Sequence, residues 1–305
     1  MKIAILGAGG VGGYYGALLA RDEQQVFFIA RGAHLQASRN HGLRIESIHG
    51  DMHIQPAQAT DDPAEVGPAD LILVSVKNYD LEQAARSGQA LIGPESLVIP
   101  LLNGLEAAER LARAWGTQHV LGGLTHISSA IVKPGIIRQT SQIRRITFGE
   151  RNGSITPRCE RLQEVLSHSG IEAVLTPEVD VHLWSKFLFI ASISGVCCIA
   201  RQPIGPVLQT PETRQLCLAA FREIEAVARA RGVALPEDAV DQALGVAEGF
   251  SPETKPSLLV DLEAGKRLEL EALNGAVVRL GEDLGIGTPV HTVIYAALKP
   301  SVTPP

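Results

Sequence analysis

The residues best suited to do chemistry stand at the start of the chain. A glycine-rich motif of the form G-x-G-x-x-G is made by Gly7, Ala8, Gly9, Gly10, Val11 and Gly12. It follows the apolar run 2–6 and opens a helical segment at 11–21, which is the context in which this motif binds a dinucleotide. Gly7 allows the tight turn, Gly9 lets the backbone approach a pyrophosphate, and Gly12 lets the helix pack on the strand. The anionic pyrophosphate would lie on free N–H groups at the positive end of the helix.

Arg31 indicates which dinucleotide binds. It follows the second predicted strand, 25–30, roughly 20 residues beyond the glycine motif. An NAD site places an acidic residue near this position for the ribose 2′-hydroxyl. An arginine instead offers two donors to a 2′-phosphate, which a carboxylate would repel. The sequence therefore favours NADPH, with a solvated surface arginine as the alternative.

Lys77 and Asn103 follow two further predicted strands, 70–76 and 96–102. The carboxyl ends of strands near the switch point of an open α/β sheet are where such sheets bind ligands. Both residues are therefore candidates for the same site. An ordinary exposed lysine and an Asn-Gly turn are the alternatives.

The elements that must position these residues alternate between strand and helix over the first half. Apolar strands separated by helices predict a parallel sheet covered on both faces. The segments 43–47 and 52–55 predict a hairpin, and the region 126–150 alternates apolar and polar residues as antiparallel strands do. The remaining elements predicted here are strand 119–124, helix 157–168, a strand near 172–175, and helices at 34–40, 80–91 and 105–114.

After Pro177 the pattern is helical almost to the end, with prolines near the predicted helix boundaries. The predicted helices are 178–200, 211–232, 236–248, 256–263, 267–284 and 289–298. We interpret the last residues, TPP, as a frayed tail. The chain therefore divides into a Rossmann domain at 1–176 and an all-α domain at 177–305.

Composition limits the classes of function. The net charge of −6 gives no electrostatic reason to expect a nucleic-acid partner. The four cysteines form no CxxC pair, so we expect reduced thiols and no metal site. The N-terminus does not read as a signal peptide, and the apolar stretch 187–200 reads as a buried helix. We expect a cytoplasmic protein with a small-molecule substrate, and its helical domain could form a homodimer.

Six segments together resemble the ketopantoate reductase (2-dehydropantoate 2-reductase) family. They are GAGGVG at 7–12, IARGAH at 29–34, SVKNYD at 75–80, LLNG at 101–104, LWSK at 183–186 and PSLLVDLEAGKRLELEALNG at 256–275. The resemblance extends from residue 1 to about 290, and the order and spacing of the segments make it specific. It implies a Rossmann domain, a helical domain, and an active site in the cleft between them.

The resemblance also implies roles for individual residues. Lys186 would be the general acid that protonates a ketone oxygen, and Glu269 would position substrate and tune that lysine. Ser257 would hold the substrate carboxylate. Asn103 and Lys77 would contact cofactor and substrate, and Arg31 would bind the 2′-phosphate.

This chemistry is reasonable on physical grounds. Hydride addition to a ketone builds negative charge on oxygen, which a nearby cation stabilises and can protonate. Bland alternatives stay open. Lys186 could extend from an apolar helix to solvent, Ser257 could cap a helix, and Glu271 could take the place given to Glu269.

Two positions depart from the family. Asparagines are common four and eight residues after the catalytic lysine, where this chain has Ile190 and Ser194. A serine keeps one hydroxyl for substrate but not the donor and acceptor pair of an amide. The cofactor assignment does not depend on these positions, whereas the substrate assignment does.

The sequence and the resemblance together predict NADPH-dependent reduction of ketopantoate to pantoate, a step of pantothenate and coenzyme A biosynthesis. One alternative is a reductase of a different 2-keto acid. Another is an NADPH-binding sensor that has kept the fold and lost the activity.

Overall fold

The computed structural model of the protein describes residues 1–302 and falls into two compact units. Residues 1–102 and 106–179 form the first unit, and residues 103–105 and those from Asp180 onward form the second. Asn103 therefore belongs to the same unit as Lys186. The predicted frayed tail, residues 303–305, lies outside the described part.

The first unit is an α/β domain. Its strands are β1 (Lys2–Leu6), β2 (Gln25–Ile29), β3 (Leu43–Ser47), β4 (Met52–Ile54), β5 (Gln58–Thr60), β6 (Leu71–Val74), β7 (Leu97–Pro100), β8 (Gly122–His126), β9 (Ser129–Lys133), β10 (Ile136–Gln139), β11 (Arg145–Gly149) and β12 (Glu172–Leu175). Its helices are α1 (Gly10–Arg21), α2 (Gly32–His41), α3 (Pro63–Val66), α4 (Leu81–Ser87), α5 (Ala107–Trp115) and α6 (Pro157–His168).

A five-stranded parallel sheet lies at the centre of this unit, in the order β5-β2-β1-β6-β7. Strands β6 and β7 are buried along their whole length, as is expected of a sheet covered on both faces. The chain moves outward from β1 to β2, then returns to place β6 on the other side of β1. This reversal is the switch point at which such sheets bind ligands, and the predicted Rossmann arrangement is confirmed.

Two smaller sheets complete the unit. One has the order β4-β3-β10-β9 and the other β12-β11-β8. The predicted hairpin is present, since β3 and β4 pair antiparallel. The region 126–150 also contains the antiparallel pairs β9–β10 and β8–β11, although β10 pairs in parallel with β3 as well.

The second unit is helical. It contains α7 (Val179–Ala200), α8 (Ile204–Gln209), α9 (Pro211–Ala230), α10 (Ala239–Glu248), α11 (Ser257–Glu263), α12 (Asn274–Leu284) and α13 (Pro289–Leu298). Helix α7 is the one helix of residues 1–302 that is long and apolar enough to cross a membrane by composition. Because 61% of its apolar window is buried inside the protein, it has the character of a core helix.

Three sequence interpretations need correction. The helix predicted at 80–91 is regular only over Leu81–Ser87, with 3-10 turns at 78–80 and 88–91. The helix predicted at 267–284 begins only at Asn274, after a 3-10 turn at 270–272. There Leu268, Glu269 and Leu270 are all buried, a run of three that one face of a surface helix cannot accommodate. The strand predicted at 119–124 instead begins at Gly122, and Val120 forms only an isolated bridge.

Candidate active site

The glycine motif turns sharply at the end of β1. The N–H groups of Gly7 and Ala8 both donate to the carbonyl of Ile29, at 3.1 and 2.8 Å, so the loop is fixed to the end of β2. Gly7 has φ +99°, a left-handed conformation that favours glycine. A Cβ on Gly7 would also lie 2.7 Å from the backbone nitrogen of Val76, directly after β6. The loop therefore lies at the switch point of the sheet.

Gly9 and Gly12 differ in what surrounds them. A Cβ added to Gly9 would meet no atom within 4 Å, which leaves its backbone open to a ligand. A Cβ added to Gly12 would lie 2.5 Å from the Gly7 carbonyl oxygen and 2.8 Å from Ile5 Cγ2. Gly9 is thus the position of approach, and Gly12 the position of close packing.

The N-terminus of α1 is suited to an anion. Gly9 is its N-cap, which has no side chain to accept from the first N–H groups, and the first turn contains no acidic residue. Uncapped N–H groups at a helix N-terminus attract negative charge. The residues present therefore fit the pyrophosphate of a dinucleotide.

Alanine at Gly9 and at Gly12 should have opposite effects. Gly12→Ala should lower the free energy of unfolding by about 1–3 kcal/mol, because the methyl group overpacks the loop. Gly9→Ala should leave stability nearly unchanged and weaken NADPH binding by about tenfold or more, some 1.4 kcal/mol. Chemical denaturation and calorimetric titration measure the two quantities.

Gly245→Ala in α10 is the matched control, because a Cβ there also meets no atom within 4 Å. It should change neither quantity. If Gly9→Ala binds NADPH as tightly as the unmodified protein does, the assignment of the loop is contradicted.

Arg31 and Lys77 lie at the ends of strands, as predicted. Arg31 is the N-cap residue of α2, two residues beyond β2, and it is exposed. Lys77 is half-buried and precedes the 3-10 turn after β6. Both follow the strands that flank β1, so both are at the carboxyl edge of the sheet.

In the helical unit, Lys186 donates a hydrogen bond from Nζ to Asn103 Oδ1 at 2.9 Å. Lys186 lies on α7, whereas Asn103 is 83 residues earlier in the chain. Glu269 is only 8% exposed and acts on the lysine electrostatically. The structure therefore brings together three of the predicted site residues.

Two opposing effects set the protonation of Lys186. Burial lowers its pKa to about 8, because a low-dielectric environment disfavours the ammonium ion, while the negative charge of Glu269 raises it. An amine with a pKa near 8 is mostly protonated at neutral pH yet gives up its proton far more readily than an ordinary lysine. Such a group is suited to general acid catalysis.

The other predicted residues are less closely linked to Lys186. Ser257 is exposed and is the first residue of α11, where its side chain makes no capping hydrogen bond. Ser194 is 1% exposed, and its Oγ has no hydrogen-bond partner within residues 1–302. Ile190 is half-buried and packs against the helical core one turn after Lys186. The roles of Ser257 and Ser194 stay predictions.

The structure adds contacts that sequence reasoning missed. A Cβ on Gly10 would lie 2.8 Å from Ala130 Cα, so the start of β9 packs on the glycine loop. Glu271, the alternative to Glu269, is exposed and interacts with Arg279, Tyr295 and Lys299. No local pattern signals contact between residues 10 and 130, because they are joined only through the sheets.

Together these features define an oxidoreductase with a Rossmann domain and a helical domain. The chain belongs to the ketopantoate reductase family, because the family profiles "Ketopantoate reductase PanE/ApbA" and "Ketopantoate reductase PanE/ApbA C terminal" match residues 3–153 and 178–301. Members of this family act on keto substrates, and the resemblance inferred from the sequence is confirmed.

Individual relatives agree over nearly the whole chain. An uncharacterized oxidoreductase of Bacillus subtilis, YkpB, is 33% identical over 98% of both chains. The 2-dehydropantoate 2-reductase of Halobacterium salinarum is 31% identical over 95% of both chains. A crystal structure of the PanE/ApbA family ketopantoate reductase from Ralstonia eutropha has a TM-score of 0.92 and 32% identity, covering 99% of this chain and 98% of its own.

Proposed function

We propose that this protein reduces a 2-keto acid to a 2-hydroxy acid with NADPH, and that ketopantoate is the first substrate to test. The observation that carries the proposal is the buried Lys186 ammonium, bonded to Asn103 and acted on by Glu269. Family relatives that carry the name 2-dehydropantoate 2-reductase support the choice of substrate. We place the reaction in the cytoplasm and the protein in a homodimer.

The chemistry assigns one task to each group. NADPH, when bound, supplies a hydride to the carbonyl carbon and becomes NADP⁺. Lys186 gives a proton from Nζ to the carbonyl oxygen, so one C–H and one O–H bond replace the C=O π bond. Asn103 orients the Lys186 ammonium through its amide oxygen. Ser257 and Ser194 are proposed to bind substrate, and Glu269 keeps the lysine protonated.

Cofactor binding is assigned to the first unit. The residues of the glycine motif, Gly7 to Gly12, would bind the pyrophosphate, and Lys77 would contact the cofactor alongside Asn103. Arg31 would bind the 2′-phosphate, and its exposed guanidinium is the reason to propose NADPH rather than NADH.

A second candidate substrate is a 2-keto acid whose side chain is wholly apolar. Ile190 supports it, because an isoleucine one turn after Lys186 offers a substrate hydroxyl group no hydrogen bond. Ketopantoate carries such a hydroxyl, whereas 2-ketoisovalerate has the same branched carbon skeleton without it.

Steady-state kinetics with NADPH and a panel of 2-keto acids test the proposal. We expect ketopantoate to have the highest kcat/KM. If 2-ketoisovalerate exceeds it by about a hundredfold, some 2.8 kcal/mol of transition-state discrimination, the substrate assignment moves to the apolar acid. Tight NADPH binding without turnover of any keto acid would indicate a sensor and contradict the proposed activity.

A further inference from the structure

A buried polar cluster in the helical unit links the helix that carries Lys186 to the segment that carries Glu269. Asn274, which is fully buried, is the first residue of α12 and follows Glu269 by five residues. Its Nδ2 donates to the carbonyl oxygen of Ala191 on α7 at 3.1 Å. The same amide nitrogen lies 3.0 Å from Nδ1 of His291. One side chain thus spans the two elements whose separation sets the environment of the lysine.

The hydrogen bonds fix the tautomer of His291. An amide nitrogen only donates, so Nδ1 of His291 accepts and carries no proton. Nε2 therefore carries the proton and donates to the carbonyl oxygen of Ala220 on α9, at 3.2 Å. Burial lowers the pKa of His291 to about 4, so the ring is neutral at any pH suited to an assay.

Glu223 on α9 holds His291 from a second side. Its carboxylate accepts from the backbone N–H of Val290 at 2.7 Å and from that of His291 at 3.0 Å. A carboxylate at the N-terminus of α13 is favoured by the free N–H groups there. The imidazole is therefore a rigid acceptor for the amide of Asn274.

The packing shows how closely Asn274 approaches α7. A Cβ on Gly195 would lie 2.6 Å from Asn274 Nδ2, so the absence of a side chain there lets the amide reach the helix backbone. Asn274 Oδ1 is buried and has no hydrogen-bond partner within residues 1–302. An unpaired buried carbonyl costs about 1–3 kcal/mol, so the amide is retained for what its donors hold in place.

We propose that Asn274 and His291 are a positioning pair, which fixes the segment of Glu269 against α7 and so keeps Lys186 in the protonated state that the reaction needs. This inference rests on the proposed function of Lys186. Neither residue is assigned a contact with substrate or cofactor. Glu269 is the charged group that acts on Lys186, and Glu223 is the one that faces His291.

Two substitutions of His291 separate the two ends of its ring. In His291→Gln the side-chain amide can still donate to Ala220, but the acceptor for Asn274 is lost. In His291→Asn an amide oxygen can stand where Nδ1 stood, so Asn274 keeps its acceptor. We expect His291→Gln to lower the pKa of Lys186 by about half a unit or more, because the effect of Glu269 weakens while burial persists. His291→Asn should change it much less.

The pKa of Lys186 is read in two ways. NMR titration of the full-length protein with ¹³C-labelled lysine reports it without turnover, and Lys186→Arg identifies the resonance. The pH dependence of kcat/KM reports it during catalysis. If the unmodified protein fails to turn over any keto acid but the NMR shift occurs, the proposed function fails and the positioning inference stands.

Ser192→Ala is the control, because Ser192 is fully buried on α7 and its Oγ has no partner within residues 1–302. It should leave the pKa of Lys186 unchanged. Should His291→Gln fail to fold, Asn274→Ala removes the same link from the other side and should produce the same shift. Equal shifts in His291→Gln and His291→Asn, or no shift in a folded variant that lacks the link, would overturn the proposal.

Discussion

Replacement of Lys186 by alanine will lower kcat for reduction of the 2-keto acid by about 10²–10⁴-fold, the usual contribution of a general acid. The alanine variant has no group at this position that can protonate the carbonyl oxygen as hydride arrives. Because the glycine motif lies in the other unit, the Kd for NADPH should stay within about twofold of the original value. Steady-state kinetics at saturating NADPH and fluorescence titration measure the two quantities.

Two further variants sharpen this result. Lys186→Arg keeps the positive charge, but a guanidinium does not release its proton, so we expect a loss similar to that of alanine. Lys255→Ala is the control, since Lys255 is an exposed lysine of the same unit that pairs with Glu263. It should keep full activity. A Lys186→Ala enzyme within a few-fold of the original rate would rule out the proposed proton donor.

Replacement of Arg31 by alanine should remove the preference for NADPH. A hydrogen bond to a charged group contributes about 1.5–3 kcal/mol, so the Kd for NADPH should rise by about 10–150-fold. The Kd for NADH should change little, because NADH lacks the 2′-phosphate that the guanidinium would bind. Calorimetric titration with both cofactors gives the ratio directly.

Arg151→Ala removes the same charge from an exposed turn of the same unit and serves as the control. It should leave both Kd values unchanged. If Arg31→Ala weakens NADPH and NADH equally, Arg31 acts on the fold of the loop and the assignment of NADPH loses its basis.

The Rossmann half could be predicted from sequence because its signals are local. The glycine motif, the buried strand before it and the helix after it are contiguous, and Arg31 follows one strand later. Each of these features has a physical reason that depends only on near neighbours. The short elements β5, α3 and α8 were missed, since they are too short to show a hydrophobic period.

The helical half was predicted less completely. Its helices were found from their period, but the break ahead of α12 was not. That break places Glu269 outside a regular helix, where it can be buried and act on Lys186. It depends on contacts made by Asn274 to Ala191 and His291, residues that lie 83 and 17 positions away along the chain.

The grouping of Lys186, Asn103 and Glu269 came from family resemblance and not from pattern. Taken singly, the lysine could have been a surface residue and the asparagine part of a turn. The hydrogen bond between them, and the membership of residues 103–105 in the helical unit, are properties of the fold. The predicted cleft between the domains stays a prediction.

The pH dependence of kcat/KM for the keto acid, measured on the unmodified protein and on Glu269→Gln, is the most direct test. Burial brings the pKa of Lys186 down from 10.5 to about 8, and the reaction needs the protonated form. Activity should therefore be constant below that value and fall as the pH rises through about 8. Because Glu269 raises this pKa, Glu269→Gln should move the fall to lower pH. A fall near the ordinary lysine value, or one that Glu269→Gln does not move, would contradict Lys186 as the proton donor.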